Sequence, residues 1–272
     1  MRSGPLKRFS AISHCALSSG RYPDFGHQIE PKTAIKKFKL AKEILSERRK
    51  EKQAQQYVHL SFFQRNLLVL LSSFGAVIHP KRADFVANTS ELVDEISLMF
   101  LLFRMRAHPD GKELLNVRPQ VSHTVLNGAR SCGKNSFGAA YAHFMGVREF
   151  SPRDRPVVRF IDNPDLAYLS SRIRESHDFL HVLFDCSTSV TSELKLKQIE
   201  FHLTKFPSAA LSILVAPVRL NLSDRQSFLK LLSSKTQIKA KKFDLLSLNF
   251  EDKLTLPLKL LREELKVRSI GE

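Results

Sequence analysis

From position 57 onward, apolar residues recur at three- and four-residue intervals, which is the period of an amphipathic helix. Alternating, strand-like runs are scarce, and "RPVVRFI" (155–161) is the one tempting exception. The pattern predicts an all-α fold, a single domain of roughly seven to nine helices. Ser61 followed by Gln64 has capping-box spacing and opens an apolar run to Ile78. Pro80 suits the first position of a second helix. "SELVDEISLMFLLFRMR" (90–106) reads as a third helix, ended by the turn signal "HPDG" (108–111). Residues 117–134 lack periodicity and read as loop. Asn163, Pro164 and Asp165 form a helix start, an N-cap followed by a first-turn proline and an acid beside the positive helix end. After them, Leu166, Leu169, Ile173, Leu180 and Phe184 keep helical spacing. "STSVTSELKLKQIEFHLTKF" (187–206) is the next helix, stopped at Pro207. Ser223 and Gln226 repeat the capping-box spacing, and a last helical stretch is expected over about 239–267.

Charge divides the chain. The net charge is +16 over 272 residues, and residues 1–56 hold 13 Lys/Arg against 5 Asp/Glu, half of that excess. Up to Pro23 there are Arg2, Lys7, Arg8, Arg21, five serines and no acid, the composition of a mitochondrial presequence. Residues 1–30 are therefore read as a presequence. Residues 31–56 form a basic helical arm or linker, with a narrow stripe of Ile35, Phe38, Ala41 and Leu45. That arm is either solvated or laid on an anionic lipid surface. The folded domain is expected over 57–272. No uninterrupted apolar stretch reaches about 18 residues, the length of a membrane span. Three cysteines (Cys15, Cys132, Cys186) without a CxxC pair argue against a disulfide framework and fit a reducing compartment. A nucleic-acid binder would keep its basic residues dense in the folded part, interleaved with stacking aromatics. They are not, so no nucleic-acid partner is expected.

The candidate chemistry lies in "ESHDFLHVLFDCSTSVTSE" (175–193). His177 and His181 are four apart on a helix and project from one face, so two imidazoles can clasp one metal ion. A buried, hydrogen-bonded histidine pair has the same spacing. Asp178 points about 100° away round the helix, so a direct ligand role requires some give. Glu193 returns to the pair only if the "DCSTS" break lets the chain fold back. Arg172 and Arg174 lie nearby and are expected in surface salt bridges. The general acid is not identifiable, and no organic-cofactor motif is present. An HD-type phosphohydrolase would want an earlier His and a distant Asp in concert, which the sequence does not offer.

"HDFLH", eleven residues, then Glu resembles the HDxxH-x11-E motif of the Coq4 family of ubiquinone-biosynthesis proteins. "FFQRNLLVLLSSFGAVIHPKRADFVA", "FGAAYAHFMGVREFSPRDRPVVRFID" and "LAYLSSRIRESHDFLHVLFD" are similar to the same family. The likeness runs from Tyr57 and weakens after Ser233. Ser192 stands where the family usually has Gly, and "NTSEL" replaces a GET-type segment. The resemblance implies an all-α domain with His177, Asp178, His181 and Glu193 as ligands of a divalent metal, zinc first. It implies C1 decarboxylation of a polyprenylated 4-hydroxy-3-methoxybenzoate. The setting it implies is peripheral, on the matrix side of the mitochondrial inner-membrane lipid surface, as a homodimer within a multi-subunit complex of ubiquinone-synthesis enzymes. A metal-containing scaffold that binds the prenylated intermediate without turning it over is the competing class.

Overall fold

A computed structural model describes residues 57–79, 82–216, 220–221, 224–226, 228 and 245–270. Among these residues there are ten α-helices, three short 3-10 turns and no β-strand. The helices are α1 (Phe62–Ile78), α2 (Ala83–Val93), α3 (Glu95–Ala107), α4 (Pro109–Val117) and α5 (His123–Arg130), followed by α6 (Phe137–Val147), α7 (Pro164–Phe184), α8 (Val190–Thr204), α9 (Pro207–Val215) and α10 (Leu258–Glu264). None is long and apolar enough to cross a membrane.

The local start signals behave as their chemistry requires. Ser61 accepts from the Gln64 N–H at 3.3 Å, and the Gln64 side chain accepts from the Ser61 N–H at 2.9 Å. Asn163 accepts from the Asp165 and Leu166 N–H groups, opening α7. Four expectations change. The run 90–106 is two helices, because Asp94 breaks it and its carboxylate instead accepts from the Ser208 N–H at the start of α9. "HPDG" is a helix start, with Pro109 in the first turn of α4. Gly111 is needed there because a Cβ would lie 2.2 Å from the Met105 carbonyl oxygen. Residues 117–134 contain α5, a short helix whose buried face is only Leu126 and Ala129. The stretch 245–267 holds two 3-10 turns and α10 rather than one helix. "RPVVRFI" forms no strand. Pro80, Ser223 and the part of the last stretch before 245 lie outside the described residues.

Helix α7 is the core helix. Its buried residues lie on several sides, and α3, α6 and α8 pack against it. Phe137, Tyr141, Phe179 and Phe250 are all fully buried and clustered round its middle. Tyr141 and Phe179 have ring centroids 4.4 Å apart, and Phe179 and Phe250 are 5.0 Å apart. Residues 262–270 close over the end of α7. Arg262 donates to the Val182 and Leu183 carbonyls at 2.9 and 2.8 Å, and the Ile270 N–H donates to the Phe184 carbonyl at 2.9 Å. These carbonyls belong to the last helical turn, where the ladder has run out of following N–H donors and only Val182 keeps a local one, the Asp185 N–H at 3.4 Å.

Arg172 and Arg174 are not surface residues. Arg172 is 1% exposed and grips Glu251 with two nitrogens, at 2.6 and 2.8 Å. Arg174 pairs at 2.6 Å with Glu91, whose other oxygen accepts from the Arg159 and Phe160 N–H groups.

Candidate metal centre

The chain reverses after α7 because Asp185 adopts the left-handed conformation at φ 61°, ψ 42°, so its own N–H and that of Cys186 reach back to the His181 carbonyl. Ser189 then caps α8, accepting from the Ser192 N–H at 3.3 Å. The reversal brings the first turn of α8 beside the last turns of α7. Ser192 is buried there, its hydroxyl 3.2 Å from that of Ser187, so the α8 start accommodates a side chain at this position.

Three of the four expected residues converge. Ligand-type atoms of His177, His181 and Glu193 all lie within 4.8 Å of one another. The two Nε2 atoms are 3.1 Å apart, and Glu193 oxygens lie 3.2 Å from His181 Nε2 and 3.7 Å from His177 Nε2. Two nitrogens on one tetrahedral zinc, each about 2.0–2.1 Å from it, are separated by about 3.3 Å. The three spacings therefore fit one face of such a polyhedron. Asp178 lies outside the cluster. Its side chain follows the helix away from His177 and accepts from Arg155 at 2.5 Å, a pair only 15% exposed on each side.

Both imidazoles are committed at Nδ1. His181 donates from Nδ1 to the Cys186 carbonyl at 3.1 Å, a partner supplied by the reversed turn. His177 donates from Nδ1 to Glu200 at 2.6 Å, and the other Glu200 oxygen accepts from Lys197 at 2.5 Å. Each ring therefore presents Nε2 to the cluster, an arrangement suited to a bound metal. Burial opposes ionisation of Glu200, but Lys197 and His177 outweigh it and hold its carboxyl far below the usual range. Burial likewise opposes charging His177, yet Glu200 beside it carries the net shift upward. At Glu193 burial is outweighed by the hydrogen bond from His181 and both imidazoles, and the net shift is downward. The donor set, two imidazoles and one carboxylate, fits zinc or another divalent transition metal and leaves coordination positions unfilled by protein.

The surroundings are dry on one side and open on the other. His181 is 2% exposed, and Phe144 stacks on it with centroids 4.9 Å apart at 27°. The Arg148 guanidinium lies over the Phe144 ring, 4.1 Å from its centroid. Glu193, 36% exposed along its side chain, forms the open edge. Burial pushes the nearby Cys186 thiol up to about 11, so it is a packed side chain rather than a thiolate. Glu200, Lys197 and Phe144 were not singled out in the sequence. Glu193, Lys197 and Glu200 stand at i, i+4 and i+7, and that spacing on one face was the available signal.

A pH prediction follows for the metal-free protein. A carboxyl held below its ordinary value of 4.5 contributes stability above that value and loses it as pH falls through the folded-state value. Urea unfolding of the apoprotein is expected to show a midpoint that drops between pH 5 and pH 3 by more than in Glu200→Gln. Parallel pH profiles for the two proteins would remove Glu200 as the source.

The chain matches the family model described as coenzyme Q (ubiquinone) biosynthesis protein Coq4 over residues 55–270. A mitochondrial ubiquinone biosynthesis protein COQ4 homolog of Bos taurus is 33% identical over 215 residues, which span 78% of this chain and 81% of that one. A mitochondrial ubiquinone biosynthesis protein coq4 of Penicillium rubens is 35% identical over 181 residues, covering 64% of this chain and 62% of its own. Among solved structures, a candidate ubiquinone biosynthesis protein of Nostoc punctiforme superposes with a TM-score of 0.58 at 18% identity. It covers 74% of this chain and 97% of its own, and the likeness concerns the fold alone.

Proposed function

Because this chain belongs to the Coq4 family of ubiquinone biosynthesis proteins, we propose that it is a metal-dependent carboxy-lyase acting on a polyprenylated 4-hydroxy-3-methoxybenzoate. The observation that carries this reading is the three-sided His177–His181–Glu193 cluster, with both Nδ1 atoms already engaged and one edge open. Such a set holds an ion without closing it off, as hydrolytic and oxidative metal sites do, whereas structural zinc sites take four protein ligands. When bound, a divalent ion supplies Lewis acidity that holds negative charge on a substrate phenolate or carboxylate. Phe144, stacked on His181, closes one side of the cluster with an apolar ring. Zinc is the first choice by donor set, and iron(II) the second. Asp178 is assigned to holding Arg155 in place, outside the ligand set.

The test uses the full chain loaded with zinc or iron(II) and a short-tailed substrate labelled at the carboxyl carbon. Labelled CO2 is expected from the loaded protein and not after chelation. A metal-loaded, folded protein that releases none, with or without dioxygen, sinks the lyase reading in favour of a non-catalytic scaffold.

The same reading sets the protein at the mitochondrial inner-membrane lipid surface, peripherally on the matrix side. It makes the protein a homodimer among the other enzymes of ubiquinone synthesis. Support for the membrane part comes from α1 and α3. Phe62, Phe74, Phe100 and Phe103 are 68–85% exposed, and α1 carries no acidic residue. In sequence, the 31–56 segment preceding α1 holds nine Lys/Arg against three Glu, and such a basic composition suits an anionic bilayer. Phe62→Ser with Phe74→Ser is expected to weaken binding to cardiolipin-containing vesicles by about tenfold or more per phenylalanine. Unchanged flotation would move the membrane contact elsewhere.

A further inference from the structure

We infer that Glu200, clamped by Lys197, is the positioning residue that turns His177 so that Nε2 and not Nδ1 meets the metal; this rests on the metal reading above. The two histidines solve the same problem differently. His181 stands at the end of α7, where the reversed chain offers a free backbone carbonyl, Cys186, to its Nδ1 at 3.1 Å. His177 lies a full turn earlier, where helical carbonyls are occupied by their own ladder. Its orienting acceptor has to come from another helix. Glu200 is that acceptor, at 2.6 Å from Nδ1.

Glu200 is unusually well fixed for such a task. Its side chain is 10% exposed, and Lys197, on the preceding turn of the same helix, holds the second oxygen at 2.5 Å. Glu193 sits seven residues earlier on α8, so one face of one helix provides both a ligand and the group that aims another ligand. On the far side of the His177 ring, Nε2 faces His181 Nε2 at 3.1 Å and Glu193 at 3.7 Å. Carboxylate, imidazole and cluster are thus in series. A partner of this kind fixes the tautomer and ring rotation, and its removal costs roughly 10- to 100-fold in metal affinity.

The test compares two double variants of the full chain, Lys197→Met with Glu200→Gln and Lys197→Met with Glu200→Leu. Both remove the buried charges, but only glutamine keeps an acceptor for Nδ1–H. Zinc affinity is read by competition with a chromophoric chelator, and apoprotein melting is read in parallel. The glutamine variant is expected within a few-fold of the parent, and the leucine variant roughly 10- to 100-fold weaker at similar melting temperature. Equal affinities in the two variants overturn the inference. Should the leucine variant not fold, long-range 1H–15N correlation on the zinc-loaded parent gives the answer directly. Metal at His177 Nε2 with Nδ1–H retained is expected, and metal at Nδ1 overturns it. A parent that takes up neither zinc nor cobalt(II) overturns the metal reading instead, whatever the variants do.

Discussion

Glu193→Ala is expected to lose metal binding and about a thousandfold in CO2 release while remaining folded. The direction follows from position. Glu193 lies in the first turn of α8 with its side chain 36% exposed, and its ion pairs are to the two imidazoles. An ion pair of that exposure contributes at most about 1 kcal/mol to folding. Its loss from a three-residue donor set leaves two imidazoles, too few to hold an ion firmly. Lewis-acid stabilisation of several kcal/mol then disappears, and about 4 kcal/mol corresponds to a thousandfold in rate. Glu193 is a cleaner target than His181, whose removal would also open the stack with Phe144 and the Cys186 contact. Asp178→Ala is the informative contrast, because it removes the carboxylate partner of the mostly buried Arg155, leaving it the weaker contacts to Val121 and Tyr141, without touching the cluster. It is expected to lower the melting temperature while metal stoichiometry stays at the parent's. Should Glu193→Ala keep its metal and more than a tenth of the turnover, the ligand assignment is wrong.

Glu251→Ala is expected to cost about 3–5 kcal/mol of folding free energy. Arg172 is 1% exposed, and Glu251 takes two of its nitrogens; the Leu248 carbonyl, at 3.3 Å, accepts from one of these as well. Removing the carboxylate leaves a buried guanidinium whose nearest remaining carboxylate is Glu175, at the longer distance of 3.8 Å, and against a total stability of roughly 5–15 kcal/mol the loss is a large share. Urea unfolding with an unchanged slope is the measurement. Arg172→Met combined with Glu251→Met removes the poorly compensated guanidinium and, with Glu175 still accepting from the Val121 N–H, is expected to restore part of the loss. A single-variant change below about 1 kcal/mol would mean that water reaches Arg172 and the pair is not buried in solution.

What was legible in the sequence was what depends on local chemistry. Ser61, Gln64 and Asn163 are caps whose partners lie two or three residues away, and each does what its spacing says. The helical class followed from periodicity in the same way. Asp94 was missed because its function is supplied by Ser208, more than a hundred residues on. Helix α5 was missed because two buried residues in eight give no readable stripe. At the site, the His177–His181 spacing predicted a shared face, and the turn at Asp185 brought Glu193 to it. The neighbours that aim the rings were hidden for a different reason. "ELKLKQIE" has the composition of a solvated helix, and only the packing of α8 against α7 reveals that Lys197 and Glu200 point inward. Asp178 illustrates the reverse, since adjacency in sequence to His177 did not bring it to the same face.

The end of α7 has a bearing on how the protein is made. The carbonyls of Val182 and Leu183 find their donors in Arg262, 80 and 79 residues later, and that of Phe184 finds its donor in Ile270. All the cluster residues are therefore synthesised well before the groups that cap the helix carrying two of them. The end of α7 is closed only once residues 262–270 have been added, so the histidine pair is the earlier-made part of the fold and its cap the later-made one.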